Sequence, residues 1–275
     1  MIKLVFVDMD GTFLDSSKRI TSRNAAALDA AWRLGIQFVP CTGRNLAGLP
    51  HELLDHPCVN YAICANGAVI ADARTGRTLN QVNINKDLVA KLYRQLCARP
   101  ITFDLFADGT VYAERTRFHL IDDLALDEAT KDFVRSVRAL YDESFEDHLQ
   151  RVGEVCRINV FYQDTKDRDA TFVLVDAEPT LRRTSSLPCN IEITDSSAHK
   201  GAGLRWLCEY LGVDPADCVA FGDGDNDCTM LAAAGDGVAM ANACPAAFVA
   251  ADHSCLSCDD SGVARYLEPI FSALR

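Results

Sequence analysis

Short, continuous apolar runs alternate with amphipathic stretches at both ends of this chain, and no other feature restricts its fold as much. Residues 2–7 are almost uninterrupted apolar sequence, the pattern of a strand buried on both faces. Ser22 can cap a helix with apolar positions at Leu28, Ala31, Trp32 and Leu34, and Gly35 ends it. Residues 36–41 and 61–64 read as further strands, with a helical stretch over 45–54 between them. The last third repeats the arrangement. Leu204, Leu207 and Leu211 stand three and four apart before Gly212. A strand over 218–221, a helix over 226–234, a strand over 237–240 and a final helix over 262–271 follow. Strands and helices in this order predict an α/β fold with a parallel, Rossmann-like sheet covered on both faces.

The middle has another texture. A helix is expected over 86–98. Residues 101–107 and 110–114 form a hairpin pattern around Asp108-Gly109, a type I′ turn signal. Strands over 155–162 and 180–185 enclose a helix over 167–175. The expected organisation is a core built from 1–83 and 190–275 with an inserted α+β domain at 84–189.

Composition excludes several function classes. Among 275 residues, Lys plus Arg number 27 and Asp plus Glu 39, a net charge of −12. Such a surface repels phosphate backbones and anionic membranes, so neither nucleic acid nor membrane is an expected partner. No apolar run reaches the ~18 residues of a spanning helix, and MIKLVFVDMDG does not read as a signal peptide. A cytoplasmic location is expected. The twelve cysteines then read mostly as small buried apolar residues rather than a disulfide framework.

Four short segments carry chemistry. Asp8-Met9-Asp10-Gly11-Thr12 follows directly on the first strand, at the sheet edge where α/β folds bind ligands. Two carboxylates two residues apart on extended backbone face one side. Cys41-Thr42-Gly43-Arg44 ends the second strand with a hydroxyl and glycine amides suited to an oxyanion. In His199-Lys200-Gly201, the lysine opens a helix, against the preference of the helix dipole. Gly222-Asp223-Gly224-Asp225-Asn226-Asp227 follows another strand. It fails the EF-hand pattern, with Cys228 and Ala234 where Gly and Glu are required, yet remains a good magnesium site. Each segment alone has an ordinary reading as a turn or a solvated side chain. Asn66-Gly67 reads equally as a turn. Cys255 and Cys258 form a CxxC near His253, but without a second pair a structural zinc site is not expected. His199 reads as solvated.

Together, DMDGT, CTGR, HKG and GDGDND in this order resemble the four motifs of the haloacid dehalogenase superfamily, and the chain looks like its Cof-type phosphatases. The long gap between Thr42 and Lys200 places the insertion where that family carries a C2-type cap, a domain that closes over the core. The resemblance implies Asp8 as nucleophile forming an aspartyl phosphate and Asp10 as general acid and base. It implies Mg²⁺ held by Asp8, the Asp10 carbonyl and Asp223, with Asp227 in support. Thr42, Gly43 and Lys200 would hold phosphoryl oxygens, with Asn226, Asn66 and Arg44 as further substrate contacts. The expected substrate is a small phosphorylated metabolite of sugar-phosphate type.

The physical task fits those residues. Bringing a carboxylate to about 4 Å from each of two phosphate charges costs roughly 8 kcal/mol at an effective dielectric of 20, and a divalent cation offsets about that much. A phosphomutase shares all four motifs and remains an alternative, as does a non-catalytic phospho-acceptor, although receiver domains are shorter and place the acceptor after a middle strand. Periodicity locates no docking face, so monomer and homodimer both remain open.

Overall fold

The structure, a computed structural model, describes residues 2–274. It divides into two compact units: the residues up to Asn80 with those from Ala198 onward, and Gln81–Ser197. The first unit begins with β1 (Leu4–Val7), α1 (Ser22–Arg33), β2 (Gln37–Pro40), α2 (His51–Leu54), β3 (Tyr61–Cys64), β4 (Val69–Asp72) and β5 (Thr78–Gln81), whose last residue opens the second unit. The second contains α3 (Lys86–Leu96), β6 (Asp104–Ala107), β7 (Thr110–Glu114), α4 (Glu128–Ser136), β8 (Arg138–Tyr141), α5 (Phe145–Arg151), β9 (Val155–Phe161), α6 (Thr165–Asp176), β10 (Leu181–Thr184) and β11 (Asn190–Asp195). The first unit resumes with α7 (Lys200–Leu211), β12 (Cys218–Gly222), α8 (Cys228–Leu231), β13 (Asp236–Ala239), α9 (Pro245–Ala250), β14 (His253–Ser254) and α10 (Gly262–Ala273).

The first unit is built on a five-stranded parallel sheet in the order β14-β13-β12-β1-β2. β1 is an interior strand, flanked by β12 and β2, and has no exposed face. Val5 and Val7 pack with Leu28, Phe38, Leu267 and Phe271, while Leu4 and Phe6 pack with Leu204, Leu207 and Met230 on the other side. Each such buried side chain contributes about 1.5–3 kcal/mol, which explains the unbroken apolar sequence. Val7 pairs with Phe221 of β12 and with Pro40 of β2. Parallel pairing in that register brings the residues after all three strands to one edge.

Several local details differ from the sequence reading. Thr21, not Ser22, caps α1, its hydroxyl accepting the Asn24 N–H at 3.2 Å. Trp32 is 55% exposed, beside the buried stripe rather than on it. Residues 45–54 do not form one helix. A 3₁₀ turn at Leu46–Gly48 gives way to extended Leu49 before α2, because Pro50 disfavours helical backbone in the residue before it. Residues 226–234 likewise split into a 3₁₀ turn at Asp225–Asp227 and the short α8. β3 meets β2 through an isolated Cys41–Ile63 bridge and otherwise pairs antiparallel with β4, in a separate three-stranded sheet with β5.

The second unit has a six-stranded sheet in the order β10-β11-β9-β6-β7-β8, antiparallel except for β7 and β8. Asp108 and Gly109 both have positive φ, 52° and 72°, as a type I′ hairpin requires. One sheet face carries Leu105, Ile158, Val160, Ile191 and Ile193 into an apolar core. The other carries polar groups, including the Arg157–Glu192 and Arg138–Asp104 pairs, each at 2.8 Å. β11 alternates Asn190, Glu192 and Thr194 with the two isoleucines and pairs with both β9 and β10. This unit therefore runs past 189. Among the described residues no helix is long and apolar enough to cross a membrane.

Candidate active site

Asp8 is the first residue beyond β1, its N–H bonded to the Phe221 carbonyl at 3.0 Å. The chain then turns through Gly11 at φ 86° and folds back, with Phe13 N–H donating to the Asp8 carbonyl at 3.2 Å. A Cβ on Gly11 would lie 2.4 Å from Asp223 Oδ2, so only glycine lets that carboxylate approach. Thr12 donates its hydroxyl to Asp223 Oδ1 at 2.8 Å and ties the loop after β1 to the loop after β12.

Lys200 is fully buried at the start of α7. Its Nζ donates to Asp8 Oδ1 at 2.5 Å and to Asp227 Oδ1 at 2.6 Å. These two carboxylates account for a cation at a helix end that disfavours one. Asp227 uses its other oxygen to accept the N–H groups of Asp223 and Gly224, at 3.0 and 2.9 Å, and so shapes the acidic loop. His199 is not merely solvated: its Nδ1 accepts the Ala202 N–H at 3.0 Å and caps α7.

Asp10 meets a different set of partners. Arg44 donates Nε to Oδ2 at 2.9 Å and Nη2 to Oδ1 at 2.6 Å, and Lys18 Nζ lies 2.8 Å from Oδ1. Thr42 is buried, and its hydroxyl accepts the Arg44 N–H at 3.1 Å across Gly43. Asn66, in left-handed backbone at φ 58°, accepts Asn226 Nδ2 at 3.1 Å, and its own N–H donates to the Thr42 carbonyl. The loops after β1, β2, β3 and β12 are thus cross-linked. Cys255 and Cys258 take no part in these contacts. Cys255 Sγ lies against Met240, Cys258 N–H bonds Asn242, and His253 pairs with Asp236.

Two contributors escaped the sequence reading. Thr12 lay within the first acidic motif, but nothing in one dimension relates it to Asp223. Lys18 sits in a turn organised by Asp15, whose Oδ1 accepts the N–H groups of Ser17 and Arg19. An aspartate two residues before a serine was the available turn signal.

Oxygens of Asp8, Asp223 and Asp227 lie within 4.8 Å of one another, with one ammonium among them. Burial pushes the Asp8 carboxyl well above its usual range, aided by Asp227 and Asp223 and opposed by Lys200. Burial and the Asp227 charge push Asp223 up to about 6. Burial opposes the charge on Lys200, but Asp227 and Asp8 outweigh it and raise its proton affinity. Burial also works against the Asp10 carboxylate, and Arg44 and Lys18 more than offset it. With all three carboxylates ionised, the cluster and its one ammonium would carry net charge −2, and all the donors are hard oxygens. The set fits a divalent cation of the magnesium class.

A pH dependence follows from Asp223. Its folded pKa, about 6, exceeds the unfolded 3.8, so the folded chain binds the extra proton. That contribution is complete below pH ~4 and is lost as pH rises through about 6. The metal-free protein is expected to melt several degrees lower at pH 7 than at pH 5, and a divalent cation to recover more at pH 7. Thermal melts of the native chain and Asp223→Asn check this. An equal fall in the variant would remove Asp223 as the cause.

The sequence pattern of the haloacid dehalogenase-like hydrolases matches residues 5–267. The chain is 28% identical to "Phosphatase YwpJ" of Bacillus subtilis, over 97% of this chain and 99% of that one. It is also 28% identical to "HMP-PP phosphatase" of Yersinia pseudotuberculosis, over 97% and 94%. A solved haloacid dehalogenase-like hydrolase from B. subtilis superposes with a TM-score of 0.85 at 28% identity, covering 97% of this chain and 99% of that one.

Proposed function

The chain belongs to the haloacid dehalogenase-like hydrolases and is a phosphatase; from that premise we propose that it hydrolyses small cytoplasmic phosphorylated metabolites of sugar-phosphate type, with magnesium, through a phosphoryl group carried on Asp8. The observation that carries the reading is the placement of Asp8. It stands at the end of the buried strand β1, with Lys200 on Oδ1 and two further carboxylates close by.

Lys200 fixes one Asp8 oxygen, and the other attacks phosphorus. The bond to the leaving oxygen breaks, and Asp10 supplies the proton that oxygen takes. A phosphoryl dianion beside Asp10 opposes the pull of Arg44 and Lys18 and favours the protonated form at that stage. Water then attacks the phosphoryl group, Asp10 takes its proton, and the electron pair of the breaking bond returns to Asp8. General acid–base help of this kind is worth about 10²–10⁴-fold. Thr42, the Gly43 amide and Lys200 hold phosphoryl oxygens, with Asn226 and Asn66 bordering them. Asp8, Asp223 and the Asp10 carbonyl would hold magnesium, and Asp227 would brace the loop that carries Asp223. The ion would supply two positive charges against the approach of carboxylate to phosphate.

The test is phosphate release from a panel of phosphorylated metabolites with magnesium and with EDTA. The reading predicts release with magnesium, loss in EDTA and recovery on adding the metal back. The ranking of compounds would define the substrate class. No release from any compound, or release only with a sugar bisphosphate primer, would overturn the hydrolase reading.

A further inference from the structure

Arg44 directs its fork at a carboxylate of this chain. Nε and Nη2 take the two oxygens of Asp10, and Nη1 donates to the Gly48 carbonyl at 2.9 Å. Gly48 closes the 3₁₀ turn that precedes Pro50, so the guanidinium is anchored on backbone behind Asp10. Lys18 approaches from a different loop. Its backbone is left-handed, φ 61°, within the turn that Asp15 organises. A side chain larger than glycine there costs about 1–2 kcal/mol, and such strain gathers where geometry serves a site. Two oxygens that both accept from a guanidinium define an ionised carboxylate held in plane. That is the form a base requires, and it needs its orientation fixed within about 10–20°.

We propose that Arg44, with Lys18 as a lesser support, is a positioning residue that holds Asp10 as the base for hydrolysis of the Asp8 phosphoryl group. The inference rests on the reaction proposed above. In that step water oxygen bonds to phosphorus, the bond from phosphorus to Asp8 breaks with its electron pair returning to Asp8, and the water proton passes to Asp10. Inorganic phosphate leaves.

p-Nitrophenyl phosphate separates this step from the first, because its leaving group departs without a proton. In Arg44→Gln the second step alone should slow, by about 10²-fold. Then kcat and KM fall together, and kcat/KM stays within about threefold, as a two-step scheme requires. A burst of nearly one equivalent of nitrophenolate should precede the slow phase. Intact mass should show a phosphoryl adduct at higher occupancy than in the native chain. Arg44→Lys keeps the charge without the fork and should recover part of the rate. Lys18→Ala, on an exposed side chain, should lower kcat and KM together by about two- to tenfold and enlarge the burst.

A fall in kcat/KM would overturn the inference, since it marks lost substrate binding, a slower first step or a general structural defect. A slower variant with neither burst nor adduct would overturn it too. If Arg44→Gln does not fold, unchanged burst and kcat in Lys18→Ala overturn it. A native chain without turnover would overturn the proposed reaction and this inference together. Native turnover with unaltered variants would overturn this inference alone.

Discussion

Asp8→Asn is expected to end turnover while leaving the fold standing. The substitution keeps the shape of the side chain and removes the oxygen that attacks phosphorus. Loss of a nucleophile that works as part of a unit costs about 10⁴-fold or more. The remaining carbonyl oxygen can still accept from Lys200 Nζ. Stability should hold or rise in the metal-free protein, because burial and two neighbouring carboxylates already disfavour the Asp8 charge. A neutral group there relieves that penalty. Circular dichroism and thermal melts should match the native chain within a few degrees, and the phosphoryl adduct should be absent by mass. Near-native phosphate release would sink the assignment of Asp8.

Lys200→Met should have the larger effect on folding. The ammonium is fully buried between Asp8 and Asp227. Methionine fills much of the volume and supplies no charge, so two buried carboxylates lose their counter-ion. Removing one partner of a buried ion pair costs about 3–5 kcal/mol. The cost should grow with pH, as those carboxylates become harder to keep protonated, and should shrink with magnesium, which supplies positive charge to the same oxygens. Turnover should fall about 10²–10³-fold even with metal, the usual cost of losing a donor aimed at developing charge. Urea unfolding at pH 5 and pH 8, with magnesium and with EDTA, reads all three effects. Midpoints that do not change with the substitution would show that Lys200 is not the counter-charge of this cluster.

Much of the core's architecture was legible because burial on both faces leaves a plain mark. The uninterrupted apolar run ending at Val7 locates a strand buried on both faces, and Gly35 and Gly212, at φ 72° and 65°, end helices as glycine in left-handed backbone does. The acidic loops were legible because DMDGT and GDGDND follow such strands at once. The second unit was less so. β11 mixes Asn190, Glu192 and Thr194 with isoleucines, and the shortness of β8, α4 and α5 left no clear period. Pro50 broke a helical pattern whose apolar spacing alone looked continuous.

By itself the sequence determined the parallel sheet, the order of its strands along the chain and the candidate residues at strand ends, because apolar periodicity and glycine placement are local consequences of backbone geometry. Only the tertiary structure decided which of those residues touch. Asp227 joins Lys200 to the amides of its own loop, Thr12 reaches Asp223 across 211 positions, and Arg44 and Lys18 converge on Asp10. A side chain's partner is set by strand pairing far along the chain and by the direction its loop takes. Neither distance nor direction in space is encoded in the spacing of residues along one dimension.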